Sequence, residues 1–487
     1  MKRTILIVGA VIVVIAAIIV IRTIMHSPMQ LDEVEQVEIE LDENLAALHL
    51  SEAIQMRTVS HQNPVNRDHQ AFDKFINWVA ATYPELHATL SLQRLNDTLL
   101  YKWQGRDKSL QPILLTGHYD VVPVIPGTEN SWKHPPFSGA IVDGIIWGRG
   151  ALDDKSGVIG ILEAVNHLVK EDFEPERTVY LSFGHDEELG GPNGAALVAE
   201  TLKKEKVQLA WSLDEGSFIF DKIIPGVDPL MAAINVAEKG SVTLQIVAKS
   251  AGGHSSMPPK QTAVGILANA IIKLEQNPIP GGLEGLSLQM FDTISRYMPF
   301  VPRVFFANRW LFAGVLDDRL SAQGTTNAML RTTTAPTMLS ASVKTNVLPI
   351  EAIAVVNFRI HPRDSVGDII NHVKRTVESE NVEVRIPPGS GRAASEVSDW
   401  NSWGYKVIAD SVSQVYGEIV ITPGLMIAGS DSRHYGKVAD NAYRFNPLTV
   451  TSDDLTGFHG TNEKISVGNL ASGIRTYIQI IRNGASK

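Results

Sequence analysis

Residues 177–191 read RTVYLSFGHDEELGG, a stretch in which a predicted strand runs directly into consecutive acidic residues. The first half is rich in β-branched and aromatic residues, which predicts a buried strand ending at Gly184. Asp186, Glu187 and Glu188 follow, and adjacent carboxylates repel one another unless a positive charge lies nearby. The stretch therefore indicates a cation site at the end of a buried strand.

Strands and helices alternate on both sides of this stretch. PILLTGHYD predicts a strand ending in His118 and Asp120, KSGVIGILEAVNHLVKED a helix, and LAWSLDEG a strand ending in Asp214 and Glu215. The alternation predicts an α/β fold with a mostly parallel sheet and helices on both faces. Because ligands bind beyond the carboxyl ends of such strands, we expect these polar residues to converge at one edge.

The order of the predicted elements changes near Lys239, where they follow the order β-α-β-β-α-β of a ferredoxin-like domain. After the last of these strands, the sequence again predicts the alternating strands and helices seen before Lys239. We therefore predict a catalytic domain in two parts, residues 46–238 and 391–487, with an inserted α+β lid or dimerisation domain over residues 239–390. Residues 283–323 lengthen this insert and fit none of its predicted elements.

The N-terminus carries an apolar run over residues 5–21, preceded by Lys2 and Arg3. This pattern predicts a transmembrane signal anchor over residues 1–23, followed by an acidic spacer over residues 24–45. A cleaved signal peptide is the alternative, although no A-x-A-like cleavage site follows the run. The basic start favours a cytoplasmic N-terminus, with the catalytic domain in a periplasm, a lumen or outside the cell.

Composition narrows the classes of function and the kinds of metal ligand. The formal net charge of −10 argues against a nucleic-acid partner, which would favour basic patches. The chain has no cysteine, which excludes disulfides and Cys-ligated zinc and leaves ligation by oxygen and histidine. Clustered carboxylates with histidine suit Zn²⁺, Mn²⁺ or Co²⁺. For any single acid, capping of the next helix N-terminus is the alternative.

Six motifs carry a family resemblance: GHYD, GRGALDDKSG, DEELGG, LDEG, GGHSSMPP and FHGTNEKIS. In this order they resemble the motifs of the cocatalytic dizinc peptidases, a family that contains aminoacylase, glutamate carboxypeptidase and carboxypeptidase S. VNFRIHP, SDSRHY and HGTNEKISV resemble the membrane-anchored branch of carboxypeptidase S and the N-fatty-acyl amino acid hydrolases. The resemblance covers nearly all of the chain after the anchor.

The resemblance implies two divalent metal ions per chain, with zinc favoured, and five metal ligands: His118, Asp153, Glu188, Asp214 and His459. Asp153 would bridge the two ions, and the peptide bond after it would be cis. Glu215 competes with Asp214 for its place. Asp120 would orient His118, and Glu187 would be the general base. His254 of GGHSSMPP would stabilise the oxyanion, although an ordinary loop histidine is the alternative.

The resemblance also implies how a substrate carboxylate is held. Asn346 and Arg359 match the family's carboxylate-binding positions, and Arg433 is a third candidate, since Arg suits a planar carboxylate. The alternative for Arg359 is an ion pair with a neighbouring acid. These residues favour hydrolysis of a C-terminal peptide bond or of an N-acyl amino acid amide and do not choose between the two. The function predicted first is a metal-dependent hydrolase that cleaves the C-terminal amide bond of short peptides. An N-acyl amino acid hydrolase is the second interpretation, and an inactive membrane-anchored binding protein is a remote third.

The expected partners are therefore a small peptide or N-acyl amino acid, the membrane through the N-terminal helix, and no nucleic acid. The insert also resembles one that pairs across a two-fold axis in dimeric members of the family. A homodimer is thus expected, in which each His254 serves the other subunit's site. Residues 283–323 could instead block this pairing or dock on the membrane.

Overall fold

The computed structural model describes residues 2–28 and 34–486, which fall into two compact units. The first unit takes in Met1–Val236, Thr293–Val304 and Ser398–Lys487, and the second takes in Ala237–Asp292 and Phe305–Val397. The predicted limits of the insert, residues 239–390, stay a prediction. Within residues 283–323, the first unit includes the stretch Thr293–Val304.

The helices are α1 (Lys2–Met25), α2 (Glu43–Gln55), α3 (His69–Thr82), α4 (Pro84–Thr89), α5 (Lys155–Lys170), α6 (Ala195–Lys204), α7 (Ala263–Gln276), α8 (Gly285–Arg296), α9 (Phe300–Ala307), α10 (Arg309–Ser321), α11 (Gly324–Leu330), α12 (Val366–Thr376), α13 (Trp403–Tyr416), α14 (Ser432–Tyr435), α15 (Ser452–Leu455) and α16 (Val467–Gly484). The strands are β1 (Ser91–Leu95), β2 (Thr98–Trp103), β3 (Ile113–His118), β4 (Ala140–Val142), β5 (Ile145–Trp147), β6 (Val179–Gly184), β7 (Trp211–Phe220), β8 (Met231–Glu238), β9 (Gly240–Lys249), β10 (Gly253–His254), β11 (Thr333–Ser340), β12 (Val347–Leu348), β13 (Glu351–Ile360), β14 (Val382–Arg385), β15 (Gly391–Arg392), β16 (Val420–Met426), β17 (Ala442–Val450) and β18 (Lys464–Ser466). Short 3₁₀ turns cover Pro64–Asn66, Glu129–Ser131 and Glu187–Leu189.

The main sheet of the first unit has the strand order β1-β2-β6-β3-β7-β17-β8-β16. Its central strands β6, β3, β7 and β17 are parallel, as the alternating pattern predicts. The flanking strands β2 and β8 are antiparallel to their neighbours, so the sheet is mixed rather than parallel throughout. One cause is a two-residue hairpin between β1 and β2, with Asn96 in the left-handed region (φ 54°) that such turns favour.

Helices cover this sheet on both sides, which confirms the predicted α/β class. Helix α5 packs on β3 and α16, and α16 packs on β17. A separate apolar cluster joins α6 to the sheet through Val198 and Leu202 on the helix and Leu114 and Tyr180 on β3 and β6. Burial of β3 and β6 along their whole length gives the strand ends that carry the polar residues a rigid support.

A three-stranded sheet of order β18-β5-β4 joins two distant parts of the sequence. Lys464 of β18 pairs with Trp147 of β5 in the antiparallel register. The pairing brings the GRGALDD loop, which follows β5, next to the HGTNE loop, which precedes β18. Two of the motifs that carry the resemblance are therefore neighbours in the fold.

The second unit is built on an antiparallel sheet of order β11-β13-β9-β14. With α7 after β9 and α12 after β13, this is the predicted ferredoxin-like arrangement. The apolar faces of α7 and α12 pack on the sheet, with Leu267 and Val373 among the buried residues. Residues 283–323, which the sequence pattern leaves unassigned, form α8, α9 and α10.

Helix α1 contains one span, Arg3–Met25, that is long and apolar enough to cross a membrane. Its mean hydropathy is 3.4, and its side chains are mostly exposed. A signal sequence has the same properties, so the helix fits either an anchor or a signal peptide.

Candidate metal centre

His118 lies at the carboxyl end of β3 and is almost completely buried. Its Nδ1 is 3.0 Å from the backbone oxygen of Asp120, a contact in which Nδ1–H donates and which leaves Nε2 directed into the site. The carboxylate of Asp120 accepts the backbone N–H groups of Glu187 and Glu188, both at 3.2 Å. Ser60 Oγ donates to the same carboxylate at 2.6 Å. Asp120 therefore fixes the imidazole and the two-glutamate turn relative to each other.

Glu187 and Glu188 reach this position because β6 runs parallel to β3. His118 pairs with Gly184, and the chain then turns through the short helix Glu187–Leu189. Gly190 and Gly191 follow with φ values of 95° and 66°, which side-chain-bearing residues rarely adopt. The two glycines therefore allow the turn that points both glutamates to the end of the sheet.

Asp153 lies between two imidazoles. Its Oδ1 is 3.1 Å from His118 Nε2, and its Oδ2 is 3.1 Å from His459 Nε2. Glu188 Oε2 lies 3.5 Å from the same His459 nitrogen. The peptide bond between Asp153 and Asp154 is cis, as the resemblance implies. A carboxylate that offers one oxygen to each of two ligand sets is suited to bridging two cations.

Glu463 holds the Asp153 loop in place. It is fully buried, and its Oε1 accepts the backbone N–H groups of Leu152 at 2.8 Å and Asp153 at 3.0 Å. Its Oε2 accepts from Arg149 Nη1 at 2.7 Å, while Arg149 Nη2 donates to the Gly460 carbonyl at 2.7 Å. This ion pair therefore connects the loop of Asp153 to the loop of His459.

Glu215, rather than Asp214, lies beside His118. Glu215 Oε1 is 3.8 Å from His118 Nε2, and His118, Glu187 and Glu215 can offer ligand atoms within 4.8 Å of one another. His118, Asp153 and Glu188 form a second such group, and Asp214 belongs to neither. Asp214 is buried, and its Oδ1 accepts the backbone N–H of Glu215 at 2.9 Å. Glu215 is therefore the acid of the LDEG motif that lies beside His118.

A β-bulge explains this exchange. Arg444 of β17 pairs with Asp214, but the next residue, Phe445, pairs with Ser217, so Glu215 and Gly216 have no counterpart on β17. Extra residues on one strand break the strict alternation of faces and redirect a side chain. The bulge sends Glu215 toward His118, while Asp214 stays in the sheet near Arg444, whose positive charge opposes the rise in its pKa that burial causes.

The electrostatics of the site fit cations. Burial raises the pKa values of Glu187, Glu188 and Glu215, and neighbouring carboxylates raise them further. Hydrogen bonds to Asp153 and Glu188 raise the pKa of His459 to about 10. Glu188 Oε1 is buried and accepts no hydrogen bond. Without a cation, protons on the imidazoles compensate the negative charge of the carboxylates. A divalent ion would take over the positive charge of these protons and would also coordinate Glu188 Oε1.

Arg433 lies in the first unit, on the short helix α14. A Cβ atom added at Gly190 would lie 3.0 Å from Arg433 Nη2, so the guanidinium rests against the turn that follows Glu188. The neighbouring His434 is 2.9 Å from the Gly190 carbonyl through Nε2. Arg433 is therefore close to the acidic turn.

The second unit contains the other predicted site residues, His254, Asn346 and Arg359. His254 is exposed and pairs with Val347 across the β10–β12 ladder, and its Nδ1 is 2.8 Å from Ser256 Oγ. The Ser255 N–H donates to the Asn346 carbonyl at 3.1 Å, so the loops of His254 and Asn346 are adjacent. Arg359 is exposed on β13, on the face that alternates with the apolar core positions.

Sequence reasoning misses three residues that support the site: Ser60, Arg149 and Glu463. Arg149 and Glu463 lie inside the GRGALDDKSG and FHGTNEKIS motifs, and their opposite charges within two motifs of the site were a signal that could have found them. Ser60 lies between predicted elements, and its contact with Asp120 follows only from the fold.

Two imidazoles around one shared carboxylate, at the strand ends of a mixed α/β sheet, form a donor set suited to divalent metal ions. Residues 114–483 match the model of Peptidase family M20/M25/M40, and the chain belongs to that family. The resemblance drawn from the six motifs is thereby confirmed.

Curated relatives extend the match over most of the chain. The chain is 38% identical over 442 residues to the probable carboxypeptidase S-like 2 of Dictyostelium discoideum, covering 90% of this chain and 84% of that protein. It is 38% identical over 440 residues to the N-fatty-acyl-amino acid synthase/hydrolase PM20D1 of Xenopus tropicalis, covering 89% and 85%. The M20 metallo-carboxypeptidase Sso-CP2 of Sulfolobus solfataricus shares the fold, with a TM-score of 0.65, 18% identity, and coverage of 92% and 100%.

Proposed function

We propose that the protein is a dimetal amide hydrolase that releases the C-terminal amino acid of short peptides. The observation that carries the proposal is the position of Asp153, whose two oxygens each lie 3.1 Å from the Nε2 atom of a different histidine. His118 and Glu215 would complete one ligand set, and Glu188 and His459 the other. We therefore place Glu215, instead of Asp214, in the first set.

When bound, two divalent ions, with zinc favoured, supply Lewis acidity and lower the pKa of a water at the site. Asp153 and the Asp120–His118 contact keep the donor atoms in place for both ions. The Arg149–Glu463 pair holds the loop of Asp153, because Glu463 also accepts the backbone N–H of Asp153. The chain's own residues thus provide a preorganised set of donors.

Glu187 is the proposed general base. Its backbone N–H is held by Asp120, while its side chain lies in the group with His118 and Glu215. Burial raises the pKa of Glu187 well above that of an ordinary carboxylate, which suits a group that takes a proton and later returns it. Glu187 would accept the proton of the attacking water and deliver a proton to the leaving amine nitrogen.

The substrate needs a group that recognises its carboxylate. Arg433 lies against the acidic turn and can offer a planar, charged fork to a carboxylate. Asn346 and Arg359 as carboxylate-binding residues, and His254 as the oxyanion donor, stay proposals that rest on the resemblance.

N-acyl amino acids are the second candidate substrates. The Xenopus tropicalis relative named N-fatty-acyl-amino acid synthase/hydrolase is as similar to this chain, at 38% identity, as the relative named carboxypeptidase S-like 2. Both substrates present an amide bond one residue from a free carboxylate, so one site chemistry serves both. The difference lies in the group on the amine side, a peptide in one case and an acyl chain in the other.

A side-by-side assay decides between these candidates. The full-length chain in detergent micelles, loaded with Zn²⁺, is given dipeptides and N-acyl amino acids that share the same C-terminal residue, and the released amino acid is quantified. We expect release from dipeptides; a preference for N-acyl amino acids by an order of magnitude or more would replace the carboxypeptidase assignment. Absence of release from either series, with metal bound, would favour the inactive binding protein.

We further propose that α1 is an uncleaved signal anchor and that the catalytic unit lies across the membrane from Lys2 and Arg3. The length and apolarity of the span Arg3–Met25 support this proposal. A homodimer in which each His254 serves the partner's site is a separate proposal.

A further inference from the structure

The last turn of α1 and the residues after it are held by α8. His26 Nε2 lies 2.9 Å from Ser295 Oγ, and both side chains are buried. Arg296 Nη1 also lies 3.5 Å from the Ser27 carbonyl, near the limit for a hydrogen bond. Thr23, one turn earlier in α1, is completely buried. The end of the apolar helix is therefore attached to the C-terminal end of α8 within the first unit.

An exposed apolar tip follows this contact. Residues 299–302 read PFVP, and Phe300 and Val301 are 47% and 68% exposed. The tip is flanked by two arginines: Arg303 lies 6.0 Å from the Phe300 ring, and its Nη1 approaches the Arg296 carbonyl at 3.5 Å. Exposed aromatic and aliphatic side chains between basic residues are typical of segments that lie in a membrane interface.

Chain geometry limits how far the tip can lie from the end of the anchor. The 23 residues of the span Arg3–Met25 give a helix of about 34 Å, slightly more than the roughly 30 Å hydrocarbon core. A spanning α1 therefore places Met25 at the interface, and the contact with His26 places Ser295 there too. Pro299 is four positions after Ser295, which is at most about 14 Å of extended chain. Interfacial segments bury their apolar face by about 5–10 Å, so the tip is within reach of lipid.

We propose that the PFVP tip inserts into the same bilayer that holds α1. The inference rests on the proposed anchor and goes beyond it, because it gives the catalytic unit a second lipid contact. Two contacts would hold the tilt of the first unit relative to the membrane more firmly than the anchor alone. A protein partner fits less well, since stable protein interfaces bury about 800 Å² on each side and the tip is four residues long.

The absence of cysteine in the sequence permits a direct test by single-site labelling. Val301→Cys in the full-length chain is labelled with the fluorophore NBD, and the protein is reconstituted into phosphatidylcholine vesicles. Val65→Cys is the matched control, because Val65 is an 88% exposed valine of the first unit on the turn Pro64–Asn66. Quenching is measured with aqueous iodide and with spin-labelled lipid, and sedimentation after alkaline carbonate extraction reports anchoring. The Val65 label also corrects for chains that face the vesicle interior.

We expect the Val301 label to be quenched by spin-labelled lipid and to be several-fold less accessible to iodide than the Val65 label. Equal iodide quenching at both positions, in protein that still sediments with the vesicles, would overturn the inference and leave the anchor intact. A Val301 label protected from both quenchers would show that protein covers the tip, which also overturns it. Protein extracted by carbonate would overturn the anchor and the inference together.

Discussion

Replacement of Glu463 by glutamine tests how the metal-binding loops are held. The carboxylate accepts N–H groups of Leu152 and Asp153 on one oxygen and of Arg149 on the other. A carboxamide has one acceptor and one donor group, so its NH₂ must face either Arg149 or the backbone N–H groups. The substitution therefore places a donor against a donor and removes the negative charge that pairs with a buried guanidinium.

The size of the effect follows from burial. Glu463 and Arg149 are 0% and 1% exposed, and breaking one partner of a buried pair costs about 3–5 kcal/mol. That is a large part of the roughly 5–15 kcal/mol by which domains are stable. The same change at a more exposed pair should be small: Glu176→Gln, whose carboxylate pairs with exposed Arg106, should leave the free energy of unfolding nearly unchanged.

The assay is urea unfolding of the metal-free, full-length chain in detergent micelles, followed by tryptophan fluorescence. Trp132 lies 5.4 Å from the Arg149 guanidinium, and Trp147 pairs with Lys464, so both report on this region. Glu463→Gln should lower the free energy of unfolding by about 3–5 kcal/mol, and adding Arg149→Met should restore part of the lost stability. A Glu463→Gln protein within about 0.5 kcal/mol of the wild type would refute the reasoning.

Three further predictions concern the site. Glu187→Gln should lower turnover by about 10²–10⁴-fold with bound metal unchanged by elemental analysis, because the amide cannot accept the proton; wild-type turnover would exclude Glu187 as the base. The pKa of His459 is raised to about 10, so its proton must leave when metal binds and metal affinity should rise with pH up to that value. Calorimetry in buffers of different ionisation enthalpy should detect proton release near neutral pH, and His459→Ala should release about one proton fewer; equal release by both proteins would contradict the role of His459. His254→Ala and Glu187→Gln proteins should each be nearly inactive and should regain activity when mixed; no recovery despite proven subunit exchange would exclude action of His254 on the partner's site.

The order of elements could be predicted from the sequence because the apolar periodicity of each strand and helix is local. In the second unit, the β-α-β-β-α-β order predicted from the sequence matches the ferredoxin-like arrangement of its strands and helices. The antiparallel flanks of the main sheet could not be predicted in this way. Whether a strand joins parallel or antiparallel depends on which edge it reaches, and the alternation of elements does not contain that information.

The sequence predicts which motifs meet at the ends of the strands, but it does not predict where each side chain of those motifs lies. Which of Asp214 and Glu215 lies beside His118 depends on a bulge against Arg444, and the sequence signals this bulge only through Gly216. The helices within residues 283–323 could not be predicted for a different reason. Their helices α9 and α10 leave apolar side chains such as Phe300 and Trp310 exposed, so their periodicity does not follow a buried face.

The interrupted first unit has a consequence for the time at which the enzyme becomes active. Glu215 and His459 both belong to the proposed metal site, yet about 240 residues, including the whole second unit, separate them along the chain. At a synthesis rate of about 5–20 residues per second, the ribosome needs roughly 12–50 s to pass from one to the other. During that interval the carboxylates at the ends of β3 and β6 are made without His459 and without Glu463. A nascent chain can therefore fold most of its main sheet, and begin to cross a membrane, before it has the means to hydrolyse anything.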